Sequence, residues 1–334
     1  MAESKFTWVS DPEPAVWDRL IEHSPQGNLF CERSYLDLAG VRHRRYLIMQ
    51  GNHVKAGVCT IQTEDGKNCH LDDLVIHNGL LFLPDHQKKA VKLRFEQFEI
   101  TEFVINRMAE QFDTIELALA PQFEDMRPFL WHEYHNPDSR RRFKLDLRYT
   151  TYINIASLRS DKPEEQTPAF QSMELLRQRH IREAGKRGGL VSHGKSGALL
   201  VDYYRQLMKR QGDTPSEDKL NRMENLVNGL LAAGRGGVYE VRNAADLVIY
   251  VVAYGWDTKR AYYLFGAGHP EISEPWQGTL AHWNAFINLA RQYNISEVDM
   301  EGVNSPKRGW FKLGFGGNLK PYYQIYRKVE SAIG

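Results

Sequence analysis

VDMEGVNSPKRGWFKLGFGGNLKPYYQIYRK, residues 298–328, is the stretch whose reading decides the fold. An apolar strand, Ile295–Met300, ends in the acidic residues Asp299 and Glu301. The Pro-containing turn Asn304-Ser305-Pro306 follows. Then come the aromatic, basic and glycine-rich segment 310–317 and a final aromatic strand, Tyr322–Tyr326. Period-two alternation predicts Asp299 and Glu301 on one sheet face, at the end of a core strand. Paired carboxylates there suit proton transfer to or from a substrate, and equally suit a hydrogen-bonded structural pair.

Working back along the chain, the strand is preceded by a fixed order of elements. Val238–Arg242 and Leu247–Gly255 read as strands around the turn 243–246, and Ala261–Gly266 as a third. Trp276–Tyr293 reads as a helix with Leu280, Trp283, Ile287 and Ala290 on one stripe. The first half repeats this order. A strand at Phe6–Val9 and a helix at Pro14–Glu22 lead to strands Arg45–Met49 and Val54–Gln62 around Gly51-Asn52. Strand Leu80–Leu83, helix Gln87–Gln111 and strand Thr114–Ala120 follow. Each half is thus an antiparallel meander feeding a crossover helix into a parallel neighbour. Duplication of a whole domain accounts for this most simply, against two unrelated α/β domains. The expected domains are 1–148 and 149–334. Between the repeats lie Arg140-Arg141-Arg142, a strand at Tyr149–Ile155 and a polar loop at 159–167. Helices are predicted at Met173–Lys186, Ala198–Gln211 and Glu217–Ala233, the last two with Gly212 and Gly234 where C-caps belong.

The fold class is α/β (α+β), two domains each with a mixed twisted sheet flanked by helices. A chain of 334 residues is long for one core. Its 42% hydrophobic and 25% charged content is that of a water-soluble protein. The sequence offers no apolar run long enough to span a bilayer and no signal peptide at Met1. Cys31, Cys59 and Cys69 fit no CxxC pattern and point to reduced, buried thiols, so the expected location is cytoplasmic. A net charge of +1 confines any polyanion contact to a local patch.

Residues 298–328, with the segment from Met173 onward, resemble the FemABX-type acyltransferases, the tandem-domain branch of the GNAT superfamily. The resemblance implies amide formation by acyl transfer to an amine, in two GNAT-like domains with the catalytic crevice in the second. Such chemistry needs a proton acceptor, donors for the tetrahedral oxyanion, and grips on both substrates. The resemblance places Lys312, in Phe311-Lys312-Leu313-Gly314-Phe315-Gly316-Gly317, near the reacting acyl group. A surface lysine beside a glycine turn is the plain alternative. Asp299 and Glu301 are the other catalytic candidates, and Arg177, Arg182, Arg210, Asn304, Arg308 and Tyr322 are candidate substrate contacts. Ordinary GNAT enzymes hold the coenzyme A pyrophosphate on a glycine-rich loop before the crossover helix. Here that loop is 266–275, proline-containing and bearing Glu271 and Glu274, which would repel a pyrophosphate that they faced. The first-half loop, Pro84-Asp85-His86, is no better suited. The resemblance therefore implies an acyl donor that is either aminoacyl-tRNA or acyl-CoA. The acceptor it implies is a nucleotide-linked amino sugar or cell-wall precursor.

Two other readings compete. Gly189-Leu190-Val191-Ser192-His193-Gly194-Lys195-Ser196 matches GxxxxGK[ST] and would make the protein a P-loop phosphotransferase. That loop needs a strand before it, whereas a basic helix precedes Gly189, and 190–192 itself reads as a strand. A noncatalytic tandem-GNAT binding module is the second alternative. The basic helix, with Arg177, Arg179, His180, Arg182, Lys186 and Arg187, is either a solvated face or a grip for phosphates of a nucleotide-linked acceptor or of charged tRNA. His132-Glu133-Tyr134-His135 lacks zincin spacing, no GxSxG elbow occurs, and no metal is expected.

Overall fold

The repeat read from the sequence is present in both halves of the chain. The computed structural model describes residues 4–329. These fall into two units: unit 1 holds the described residues up to 148 and from 321 onward, and unit 2 is Tyr149–Lys320.

Unit 1 contains β1 (Thr7–Ser10), α1 (Pro14–His23), α2 (Arg33–Leu38), β2 (His43–Gln50), β3 (His53–Ile61), β4 (Asn68–Cys69), β5 (Gly79–Phe82), α3 (Ala90–Gln111), β6 (Thr114–Ala118) and α4 (Arg127–Trp131). β1-β2-β3-β5 form an antiparallel sheet. Gly51 closes the β2–β3 hairpin at φ 56°, a conformation glycine takes without steric cost. α3 then carries the chain to β6, which runs parallel to β4. The backbone N–H of Asn78, just before β5, donates to the Ala118 carbonyl at 2.7 Å. The Ala118 N–H donates to Asn78 Oδ1 at 2.8 Å. Ile48, Val58, Leu80, Val104, Ile115 and Leu117 are at the centre of this core.

β7 (Lys144–Asn154) leads into unit 2. There follow α5 (Pro168–Gln171), α6 (Leu175–Lys186), β8 (Leu190–Gly194), α7 (Ala198–Arg210), α8 (Glu217–Ala232), β9 (Gly236–Arg242), β10 (Val248–Trp256), β11 (Ala261–Gly268), α9 (Gln277–Tyr293), β12 (Glu297–Asp299) and α10 (Pro306–Leu313). The strands of unit 2 lie in the order β7-β12-β11-β10-β9-β8. β8 to β11 are antiparallel, and α9 crosses back to place β12 parallel to β11. α9 buries Leu280, Trp283 and Ala290 of the expected stripe, leaves Ile287 partly buried, and buries Phe286 and Leu289 as well. Gly212 and Gly234 adopt φ 79° and 65° just beyond α7 and α8, which ends both helices.

Two differences from the sequence reading matter. The last strand, β13 (Asn318–Lys328), pairs antiparallel with β6, Gln324 opposite Ala118 and Lys328 opposite Thr114. Residues from 321 on therefore complete unit 1, and the expected span 149–334 is shortened at its end. Alternation marks a strand but does not say which open sheet edge will receive it. The phosphotransferase alternative also fails. Leu190–Gly194, which would have to cradle phosphate, is strand β8, with Val191 opposite Val241 and His193 opposite Tyr239.

Candidate active site

β11 and β12 share a short register, Ala261 opposite Val298 and Tyr262 opposite Asp299. β11 continues to Gly268, whereas β12 stops at Asp299, so the two strands part at that level. The pairing of β10 with β11 also shifts register between Ala253 and Tyr254, leaving Tyr254 opposite Tyr263. The bulge re-aims the side chains of β11 where its neighbour is lost.

The acidic pair sits at this parting. Asp299 is fully buried and Glu301 is 6% exposed. Alternation along the strand is not what brings them together, because the strand has ended. Glu301 adopts φ 53°, in the left-handed region. Its backbone N–H turns back to donate to Asp299 Oδ1 at 2.7 Å. A non-glycine residue held this way costs about 1–2 kcal/mol, a strain that concentrates at functional sites. The Thr150 hydroxyl donates to the same Asp299 oxygen. Glu301 Oε1 is buried and has no hydrogen-bond partner among the described residues.

Lys312 reaches the pair from α10. Pro306 opens that helix at a position where its missing N–H is not needed. Gly309 lies so close to the Val303 carbonyl that a Cβ would stand 2.5 Å from it, so only glycine fits. The half-buried Lys312 Nζ donates to the Gly302 carbonyl at 3.0 Å and lies 5.0 Å from the centre of the Tyr263 ring. One ammonium proton is thereby fixed, and two remain for other acceptors.

Burial and mutual charge set the protonation of this cluster. Burial pushes Asp299 up to about 6, against the opposing hydrogen bonds from Thr150 and the Glu301 N–H and the charges of Arg260 and Lys312. Glu301 is raised well above the usual carboxylate range, first by burial and then by the charge of Asp299, with Lys312 opposing. Lys312 is lowered by burial, while Glu301 and Asp299 pull it back up. Two carboxyls this close titrate as a pair, and one of them holds a proton at higher pH than a free side chain would.

An aromatic wall surrounds the cluster. The Tyr254 hydroxyl meets His282 Nδ1 at 2.5 Å, and Tyr263 packs edge-on to His282 with ring centres 4.7 Å apart. Burial, with the Lys312 and Arg177 charges, pushes His282 down to about 3, so its ring is neutral at ordinary pH. Arg177, on α6, is buried. Its guanidinium lies 4.6 Å from the Phe311 ring centre and donates to Thr279 Oγ1 at 3.0 Å. This contact lies over the start of α9, where Gln277, Gly278 and Thr279 are buried. Gly278 there is crowded by Phe311, 3.2 Å from the position of a Cβ. The Glu274 N–H is taken by Gln277 Oε1 at 2.9 Å. Glu274 itself pairs with Arg187 at 3.7 Å.

Of the residues expected from sequence, Asp299, Glu301 and Lys312 are brought together, and Arg177 is linked to them only through His282, on which its charge and that of Lys312 both act. Arg308 is near, since its charge acts on Lys312 and Tyr263, but its guanidinium donates to Gln211 Oε1 at 3.0 Å. Asn304 instead zips the segment after β12 to β7. Its Oδ1 accepts from the Tyr149 N–H at 2.7 Å, and its Nδ2 donates to the Tyr149 carbonyl at 3.1 Å. Arg210 donates to the Pro270 carbonyl at 2.6 Å, pinning the loop before α9. Arg182 pairs with Glu165 and lies over Phe170. Tyr322 belongs to unit 1, buried edge-on to His77 at 4.8 Å. Sequence reasoning missed Thr150, Tyr254, Tyr263 and His282. The one signal for Tyr254 was the alternation Tyr250, Val252, Tyr254 along β10.

No protein-family model matches the chain, and no curated protein matches it in sequence. Solved structures do match its fold. FemX is 13% identical with a TM-score of 0.63, covering 95% of this chain and 96% of that one. A tandem GNAT protein from the clavulanic acid biosynthesis pathway is 11% identical with a TM-score of 0.55, over 96% and 97% of the two chains. L-PGS from Bacillus licheniformis is 12% identical with a TM-score of 0.50, over 97% and 95%. The fold is therefore the tandem GNAT-like fold of the FemABX type.

Proposed function

We propose that the protein is an N-acyltransferase or N-aminoacyltransferase whose site is in unit 2. The observation that carries this reading is the buried acidic pair, Asp299 and Glu301, set with Lys312 where β11 and β12 part. An acceptor amine enters as an ammonium ion. Glu301 takes its proton, the role for which a carboxylate of raised pKa is suited. The freed amine attacks the acyl carbonyl, and Lys312 stabilises the oxyanion that develops. Collapse of that intermediate forms the amide as the second amine proton passes to the expelled oxygen or sulfur of the donor, and Glu301 releases the first proton to solvent. Asp299 is a positioning residue, since it holds the Glu301 backbone in its strained turn.

The covered start of α9 favours a donor that does not lay a pyrophosphate there. Aminoacyl-tRNA is thus the better fit and acyl-CoA the runner-up. The acceptor class is an amine on a nucleotide-linked amino sugar or a cell-envelope precursor, met in the cytoplasm. None of the helices described is long and apolar enough to cross a membrane. Offering charged tRNA and acetyl-CoA separately, each with a panel of nucleotide amino sugars, and weighing the products by mass spectrometry tests the proposal. An amide product supports it. Binding of an acceptor with no product from either donor would favour a noncatalytic module.

A further inference from the structure

Asp299 stands in the middle of a row of polar side chains. Tyr262 of β11 is opposite it on one side, and Tyr152 of β7 on the other. Residues opposite one another in a sheet point to the same face, so the two tyrosines flank the carboxyl. Thr150, two residues back along β7, and Glu297, two residues back along β12, share that face. Arg260 joins the row from the turn between β10 and β11. Its Nη1 donates to the Tyr152 hydroxyl at 2.9 Å, and its guanidinium lies 4.6 Å from the centre of that ring. Its Nε is 3.3 Å from the Glu297 carboxylate. The buried Asp257 fixes the turn. Its Oδ1 accepts from the N–H groups of Lys259 and Arg260 at 2.7 and 2.8 Å, and its Oδ2 from the Tyr262 hydroxyl at 2.7 Å.

The ion-pair partner of Arg260 is therefore Glu297, whose side chain is 37% exposed against 12% for Arg260. A buried cation with a wetter counter-ion is a weak source of stability, because the cost of desolvation offsets the attraction. Its charge reaches further along the row. Among the described residues, the cations that act on Asp299 are Arg260 and Lys312. The charges that act on Glu301 are those of Asp299 and Lys312. Lys312 thus favours ionisation of both acids, whereas Arg260 favours that of Asp299 alone. When the pair holds one proton, this difference decides which carboxyl carries it. We propose that Arg260 is a positioning residue that, from its seat over Tyr152, keeps the negative charge of the pair on Asp299 and the proton on Glu301. Its catalytic meaning rests on the acyl-transfer reading, in which the proton of the acceptor amine goes to Glu301. A charged Asp299 accepts more strongly from Thr150 and from the Glu301 N–H, and so holds the strained turn in shape.

Carbon-13 NMR titration of labelled Asp and Glu carboxyls in the full chain tests this, with Asp299→Asn and Glu301→Gln assigning the two signals. In the native protein Asp299 should ionise at lower pH than Glu301. In Arg260→Gln its midpoint should rise toward that of Glu301 by about half a pH unit or more, and kcat should fall roughly threefold or more with acceptor KM little changed. Arg260→Lys, which keeps the charge, should restore both. A merely structural Arg260 would leave the midpoint of the folded Arg260→Gln protein unmoved, and that result would overturn the proposal. So would a native Glu301 that ionises first, or a kcat that does not respond. If Arg260→Gln does not fold, Glu297→Gln removes the competing acid instead and should move the Asp299 midpoint down. An unmoved or higher midpoint there would equally overturn it. The titrations need no substrate. Absence of product from the native protein would therefore overturn the acyl-transfer reading and leave the placement of charge to be decided by the titration.

Discussion

Asp299→Asn should stabilise the protein above pH 6 and leave it unchanged below pH 4. Asp299 is fully buried, and its pKa is raised from 3.8 to about 6. Below the unfolded pKa the carboxyl is protonated in both folded and unfolded chains and has no pH effect. As pH rises through the window, the unfolded chain ionises first, and stability falls until the folded pKa is passed. Above it the loss is constant at about 3 kcal/mol. Asparagine never ionises, and its Oδ1 can still accept from Thr150 and the Glu301 N–H. For a unit of this size 1 kcal/mol corresponds to about 2–4 °C, so the variant should melt roughly 6–12 °C higher at pH 8. Scanning calorimetry of both proteins from pH 4 to pH 8 is the assay. Parallel profiles, or a variant less stable than the native protein at pH 8, would refute the argument that burial holds this carboxyl against ionisation.

Other perturbations have equally definite outcomes. Gly316 adopts φ 80° with the Ser172 carbonyl 2.4 Å from the position of a Cβ, so Gly316→Ala should cost more than about 2 kcal/mol in urea unfolding. An unmoved midpoint would show that the turn relaxes. Glu301→Gln should cut kcat by roughly 100-fold or more and remove the fall in rate at low pH, because wild-type Glu301 stops accepting a proton below its raised pKa. A pH–rate profile with the limb intact would take the base role from Glu301. His282, pushed down to about 3, should make the wild-type protein lose stability as pH falls from about 6.5 toward that value. His282→Phe should flatten that acid limb in denaturant titrations, and an unchanged limb would mean the ring is not titrating there.

Much of the architecture was legible because it rests on local periodicity. The stripe on α9, the glycines ending α7 and α8, and the β9-β10-β11 meander all declare themselves within short windows. α10 did not. Gly309 lowers helix propensity over 306–313, and only the turn Asn304-Ser305-Pro306 was read there, but packing of Gly309 on Val303 overrides propensity. Asp299, Glu301 and Lys312 were legible as residue types at a strand end. The geometry joining the two acids was not, since it depends on the left-handed Glu301 backbone. Asn304 and Arg210 were polar residues in suitable places whose hydrogen bonds turned out to be with backbone. Tyr254 and His282 meet only after the sheet and α9 have packed, so their partnership leaves no trace in a window of sequence.

The central claim is that Lys312 meets charge that develops during acyl transfer. Its direct test is the kcat and acceptor KM of a folded Lys312→Ala protein, measured with whichever donor yields product. The account predicts a kcat lower by on the order of 100-fold with KM little changed. An unaltered kcat would contradict it and reduce Lys312 to a lysine that ties α10 to Gly302.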